Sequence, residues 1–157
     1  MILGVSGHQD IPAAAKGAII DALRERVKAA PAPVGVCSLA AGADQLFAQE
    51  ILDHGGHLRV IVPCSGYEAA FEHPQEREDY NRLLARADET VELTYARPSE
   101  AAFFAAGRRV VEECEQLLAI WDGLPAKGKG GTADVVAYAR ERGRSVIVIW
   151  PPGVPPR

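Results

Sequence analysis

The chain has 157 residues, 48% of them apolar and 24% charged, with a net charge of −4. That length and balance suit one ordinary globular domain with its own core. The acidic balance argues against a nonspecific grip on nucleic acid, and no apolar run approaches the ~20 residues of a membrane-spanning helix.

The elements alternate along the chain. MILGV (1–5) reads as a short apolar strand. Residues 12–29 follow as a helix on which Ile19, Leu23 and Val27 recur every four positions. VGVCSL (34–39) is a second strand, and 43–54 a second helix with Phe47 and Ile51 beside Leu46 and Leu52. LRVIVP (58–63) precedes a helix over 74–87, where Tyr80, Leu83, Leu84 and Ala87 share a face. TVELT (90–94) precedes a helix over 99–113 striped by Phe103, Ala106, Val110 and Val111. QLLAIW (116–121) leads to a helix over 132–142, with Val136 and Ala137 expected to face inward, and SVIVIW (145–150) closes the series. Short, mostly apolar runs of this kind suit strands buried on both faces of a parallel sheet. With right-handed crossovers, the pattern predicts an α/β fold in three layers: a doubly wound, mostly parallel sheet of about six strands between helices. It forms one domain over residues 1–150. The tail PPGVPPR (151–157) cannot extend the last strand, because proline lacks the N–H donor, and is expected to fray.

Cys37, Cys64 and Cys114 have no CxxC spacing and read as core thiols. His8, His54, His57 and His73 likewise lack metal-ligand spacing, so no metal site is expected. The N-terminal MILGVSG has neither a basic region nor a cleavage site, which predicts a cytoplasmic protein.

In open α/β sheets, ligands bind beyond the carboxyl ends of the strands, near the point where strand order reverses. The unusual segments fall there: SGHQD (6–10), SLAAGAD (38–44), PCSGYE (63–68) and DGLPAKGKGGT (122–132) each follow a strand. The opposite edge carries the plain connections AAPAP, DHGGH, ADE and ERGR. Ser6, Gly7, His8 and Gln9 offer donors and a tight strand exit, with Asp10 expected to cap the next helix and Pro12 in its first turn. Ala41, Gly42 and Asp44 let backbone approach a ligand at a helix start. Tyr67 has the form of a stacking side chain or a half-buried one, and Glu68 that of an acid or a solvated helix-start residue. Gly130, Gly131 and Thr132, with Lys127 and Lys129 before them, suit a phosphate at a helix N-terminus; Thr132 as a plain N-cap is the alternative. The segment is neither a Walker loop nor GxGxxG.

GVSGH, SLAAGAD and GGTAD, in that order, resemble the SLOG superfamily of Rossmann-like nucleotide-binding proteins, which includes the LOG phosphoribohydrolases and the DprA/Smf and YpsA-like proteins. LAAGAD is similar to the GLAxGID run of DprA-like proteins, and GGTAD to the phosphate loop of LOG proteins. The resemblance spans Ile2 to Trp150. It implies a nucleotide-derived ligand lined by Ser6, Gly7 and His8, by Ala41, Gly42 and Asp44, and by Lys129, Gly130, Gly131 and Thr132, the last three holding phosphate. It also implies a homo-oligomer. LOG enzymes carry PGGxGTxxE; aligning the GT pair puts Val135 where their catalytic glutamate stands. Asp134 is one residue early and points roughly 100° away on a helix.

Two functions are therefore weighed. The favoured one is a nucleotide-binding sensor or carrier, with a nucleotide as ligand and no cofactor assigned. The alternative is a nucleotide N-glycosidase using Asp44, Glu68, Asp122 or Asp134. Asp122 at a strand exit also fits a loop-capping role. A scaffold that binds partners through its helices is the third. Small-molecule phosphorylated ligands are expected as partners, and nucleic acid and membrane are not.

Overall fold

Strand-like and helix-like stretches separate in the structure, a computed structural model that describes residues 1–125 and 131–156. Lys127, Lys129 and Gly130, expected at the phosphate loop, lie outside the described residues. The strands are β1 (Ile2–Gly7), β2 (Val34–Cys37), β3 (His57–Cys64), β4 (Glu89–Tyr95), β5 (Gln116–Ile120) and β6 (Ser145–Ile149). The helices are α1 (Ala13–Ala29), α2 (Ala43–Asp53), α3 (Pro74–Ala85), α4 (Glu100–Glu113) and α5 (Thr132–Glu141). One 3₁₀ turn, Tyr67–Ala70, joins β3 to α3.

All the strand pairs are parallel, in the order β4-β3-β2-β1-β5-β6. The chain steps outward from β1 to β4, then returns to place β5 on the other side of β1. The reversal between β1 and β5 opens a crevice beyond their carboxyl ends. Helices α1, α2 and α3 pack in sequence on one face, and α4 and α5 pack together on the other. The predicted three-layer fold is the one observed.

Each helix is held by its apolar stripe. On α1, Ala15, Ile19, Leu23 and Val27 are buried at i, i+4 spacing, and burying each of the larger three contributes ~1.5–3 kcal/mol. Cys37, Cys64 and Cys114 are free and buried, as their spacing implied. Two readings are corrected. First, β4 and β6 are edge strands with largely exposed or half-exposed residues, not strands buried on both faces. Second, α5 buries Thr132, Val135, Val136 and Ala139, whereas Ala137 is exposed; the inward stripe is turned from the expected one by its neighbours on α4.

Helix starts also differ from expectation. Pro12, not Asp10, holds the cap position of α1, and no side-chain cap hydrogen bond forms there. Gly131 precedes α5 and Thr132 is its first helical residue, not its cap. At α4, Ser99 Oγ accepts from the Ala102 N–H at 3.0 Å. Ser99→Ala is expected to lower stability by about 1 kcal/mol in urea denaturation, with Ser99→Thr close to wild type.

Candidate functional site

The carboxyl ends of β1, β2, β3 and β5 surround a cleft of about 770 Å³. Ser6, Gly7 and His8 line it from the β1 loop, Ala41 and Asp44 from the β2 loop and α2, and Gly131 and Thr132 from the start of α5. Asp122 lines it from the β5 loop. The sequence-derived segments therefore converge.

Packing decides the parts that several of these residues play. Gly42 does not line the cleft; at φ +78° it packs against the backbone of His8 and Gln9. The Ala43 N–H donates to the His8 carbonyl at 3.1 Å, so the loops after β1 and β2 are tied back to back. Asp44 is buried at 6% exposure, and its Oδ2 accepts from the N–H groups of Ser38 at 3.1 Å and Ala40 at 3.3 Å. These amides are engaged by protein. Burial pushes the Asp44 carboxyl up to about 7, against the opposing pull of the two amide donors. Tyr67 is buried in an aromatic group with Phe71, Tyr80 and Phe103, and burial raises its hydroxyl well above the usual range. Glu68 is exposed and outside the cleft lining, while its carbonyl accepts from Arg77. Asp134 is also outside the lining. Its neighbour Val135 does line the cleft, seated against Gly107, where an added Cβ would lie 2.7 Å from Val135 Cγ2.

The β1 and β5 loops meet through His8 and Asp122. His8 Nε2 accepts from the Asp122 N–H at 3.1 Å and lies 3.2 Å from Asp122 Oδ1. That carboxylate oxygen accepts from Leu124 N–H at 3.0 Å, the local turn expected of an aspartate at a strand exit. Sequence reasoning missed the far wall: Phe71 and Glu72 beyond the 3₁₀ turn, and Glu100 and Phe103 at the start of α4. Phe103 stands in the sequence only as part of a helix stripe, and the Tyr67–Phe103 ring contact at 6.1 Å joins α4 to the aromatic group, of which Tyr67 and Phe71 also line the cleft. Among the described lining residues, Asp10, Asp44, Glu72, Glu100 and Asp122 are acidic and no lysine or arginine appears. The N-terminus of α5 is then the end that favours an anion, because the first N–H groups of a helix have no intrahelical acceptor. Among the described residues no three His, Cys, Asp or Glu side chains are grouped to hold a metal ion. No helix among them is long and apolar enough to cross a membrane.

A parallel sheet of this order, with small-residue strand exits facing a helix N-terminus across the switch point, is a Rossmann-like α/β fold. Solved structures share it. DNA processing protein A (DprA) of Streptococcus pneumoniae matches with TM-score 0.71 and 18% identity, over 97% of this chain and 51% of that one. The Helicobacter pylori DNA processing protein A, solved for its single-stranded DNA binding mode, matches with TM-score 0.70 and 17% identity, over 99% and 68%. TM1055, a structural-genomics target, matches with TM-score 0.64 and 16% identity, over 99% and 76%. The chain spans about half the length of the pneumococcal protein. No protein-family model and no curated protein matches the sequence. These likenesses bear out the SLOG resemblance at the level of the fold. They also correct one expectation: a protein of this fold binds single-stranded DNA, so a net charge of −4 does not argue nucleic acid away. Net charge averages the whole surface, whereas strand binding depends on one groove and its stacking surfaces.

Proposed function

We propose that this chain binds a nucleotide or nucleotide derivative in the cleft, with a phosphate at the Gly131–Thr132 end of α5. The observation that carries this reading is the convergence of the β1, β2 and β5 loops and the α5 N-terminus on one cleft at the switch point. Its charge distribution supports the orientation. The anion goes to the helix end, and the carboxylates elsewhere accept from sugar hydroxyls and base amines. A terminal nucleotide of a single strand carries the same groups, so oligonucleotides belong in the same test.

The test is thermal denaturation with nucleoside monophosphates, nucleosides and short single-stranded DNA, with free base followed in parallel. A ligand at ~100 times its dissociation constant adds ~2.7 kcal/mol of stability. Thr132→Val is expected to weaken AMP about tenfold, the loss of ~1.5 kcal/mol for one hydrogen bond to a charged group, and to leave adenosine unchanged. Equal losses for both would remove the phosphate from this end.

N-glycosidic cleavage is the second reading, favoured by one observation: Asp122 lines the cleft beside His8. Asp44 is committed to two amides, Glu68 and Asp134 lie outside the lining, and Val135 replaces the LOG glutamate, which leaves Asp122. Base release that disappears in Asp122→Asn supports an enzyme; stabilisation without base release supports the binding protein.

A further inference from the structure

His8 joins the ligand-facing loops. Its N–H donates to the Ile120 carbonyl at 3.1 Å, its carbonyl accepts from the Ala43 N–H at 3.1 Å, and its ring meets Trp150 edge-on with centroids 5.6 Å apart. The imidazole is 12% exposed and the Asp122 carboxylate 3%. One ring nitrogen, Nε2, faces two different atoms of Asp122: the backbone N–H at 3.1 Å and Oδ1 at 3.2 Å. It cannot serve both in one protonation state. Without a proton, Nε2 presents a lone pair, which accepts from the N–H and repels the carboxylate oxygen. With a proton, it donates to Oδ1 and can no longer accept from the N–H.

We propose that His8 is a proton-operated latch between the loops after β1 and β5. Neutral His8 holds the Asp122 amide; protonated His8 holds the Asp122 carboxylate and turns that amide toward the cleft. The two arrangements exchange as the ring gains or loses its proton, and histidine is the side chain whose ordinary chemistry allows that near neutral pH. Among the described residues, Asp122 is the charged group that faces the ring from the β5 loop. The β6 side contributes Trp150, which does not titrate. From α2 the neighbour is Ala43, while the Asp44 carboxylate is turned onto the Ser38 and Ala40 amides. On the loop of His8 itself, Asp10 lines the same cleft and adds a second carboxylate near the ring. A consequence for the ligand rests on the nucleotide reading above. An anion in the cleft favours the imidazolium by its charge and gains the redirected amide as a donor, so anion binding takes up a proton.

The latch is tested without any nucleotide. ¹H–¹⁵N spectra of the full chain between pH 5 and 8 follow the Asp122 amide and the His8 ring nitrogens. Both are expected to titrate with one midpoint. In His8→Gln, whose amide oxygen accepts at every pH, the Asp122 amide should stop moving. In Asp122→Asn, which keeps the backbone donor and loses the carboxylate, the His8 midpoint should fall. Asp44 titrates in an overlapping range, but it would move the Ser38 and Ala40 amides instead. A stationary Asp122 amide while His8 titrates overturns the proposal, and so does a His8 that keeps one state across the range. The link to ligand is read separately with sulfate, whose charge is fixed across this range, and with AMP. Sulfate affinity should rise on acidification in the wild type and stay flat in His8→Gln. Flat affinity in both proteins, with the amide titrating, overturns the link to ligand. Absence of any anion binding, with the amide titrating, overturns the nucleotide reading and leaves the latch standing.

Discussion

Gly42→Ala is expected to lose about 4 kcal/mol of stability and with it the shape of the cleft. Gly42 sits at φ +78°, and a Cβ there would lie 2.4 Å from the Gln9 carbonyl oxygen and 2.6 Å from that of His8. Both obstacles are backbone atoms, so no rotamer change relieves them. The loss adds ~1–3 kcal/mol for a side chain held at positive φ to ~1–3 kcal/mol for overpacking. Gly55→Ala separates the two. Gly55 has φ +70° with nothing within 4 Å of an added Cβ, so it carries the conformational term alone, ~1–3 kcal/mol. Urea denaturation of both variants decides the matter: equal losses would show that the β1 loop moves aside at little cost. If Gly42→Ala folds at all, it must push the His8–Gln9 segment away from α2. The Ala43-to-His8 hydrogen bond should then break, and amide exchange at Ala43 should accelerate.

The same close approach shows what was legible in the sequence. The alternation of apolar runs and helical stripes determines the layers, and the clustering of small residues after the strands marks the edge that carries the cleft. Both follow from local periodicity, which tertiary packing here reinforced. Strand order did not follow from it. Nothing in TVELT or SVIVIW says which strand lies at a margin, so β4 and β6 were expected to be covered on both faces and are not. Capping residues were misplaced for a related reason. Asp10 and Thr132 have the right side chains for caps, but Pro12 and Gly131 occupy those positions, set by how the chain turns against its neighbours. The aromatic wall was missed because Phe71, Phe103 and Tyr67 come from separate elements, and only their packing brings them together. Asp44 was read as a ligand contact or a catalytic acid. Its commitment to the Ser38 and Ala40 amides depends on a loop geometry that the sequence does not spell out.

The burial of the Asp44 carboxyl, which those two amides only partly offset, makes stability depend on pH in an unusual direction. Most carboxylates that gain partners on folding have lowered pKa values and stabilise a protein as pH rises. Asp44 does the opposite. Burial raises its carboxyl from 3.8 to about 7, so between these values the folded state binds the proton more strongly than the unfolded state. Its contribution is therefore fully present below about 4, declines as pH rises toward 7, and is constant above it. The decline amounts to a few kcal/mol, at 1.36 kcal/mol per unit. Other carboxylates titrate in the same range, so the comparison is with Asp44→Asn, whose amide oxygen still accepts from Ser38 and Ala40 without carrying charge. Asp44→Asn should gain on wild type steadily from pH 4 to 7 and hold its advantage at pH 8, whereas parallel stability curves would mean that Asp44 ionises normally. Asp44→Ala isolates the other half of the role. It removes the acceptor as well as the charge and leaves two loop amides without their partner, at ~1–3 kcal/mol each, so it should be less stable than Asp44→Asn at every pH. The ordering follows from Asp44 having two functions: its oxygen is needed to hold the β2 loop against the cleft, while its charge opposes folding.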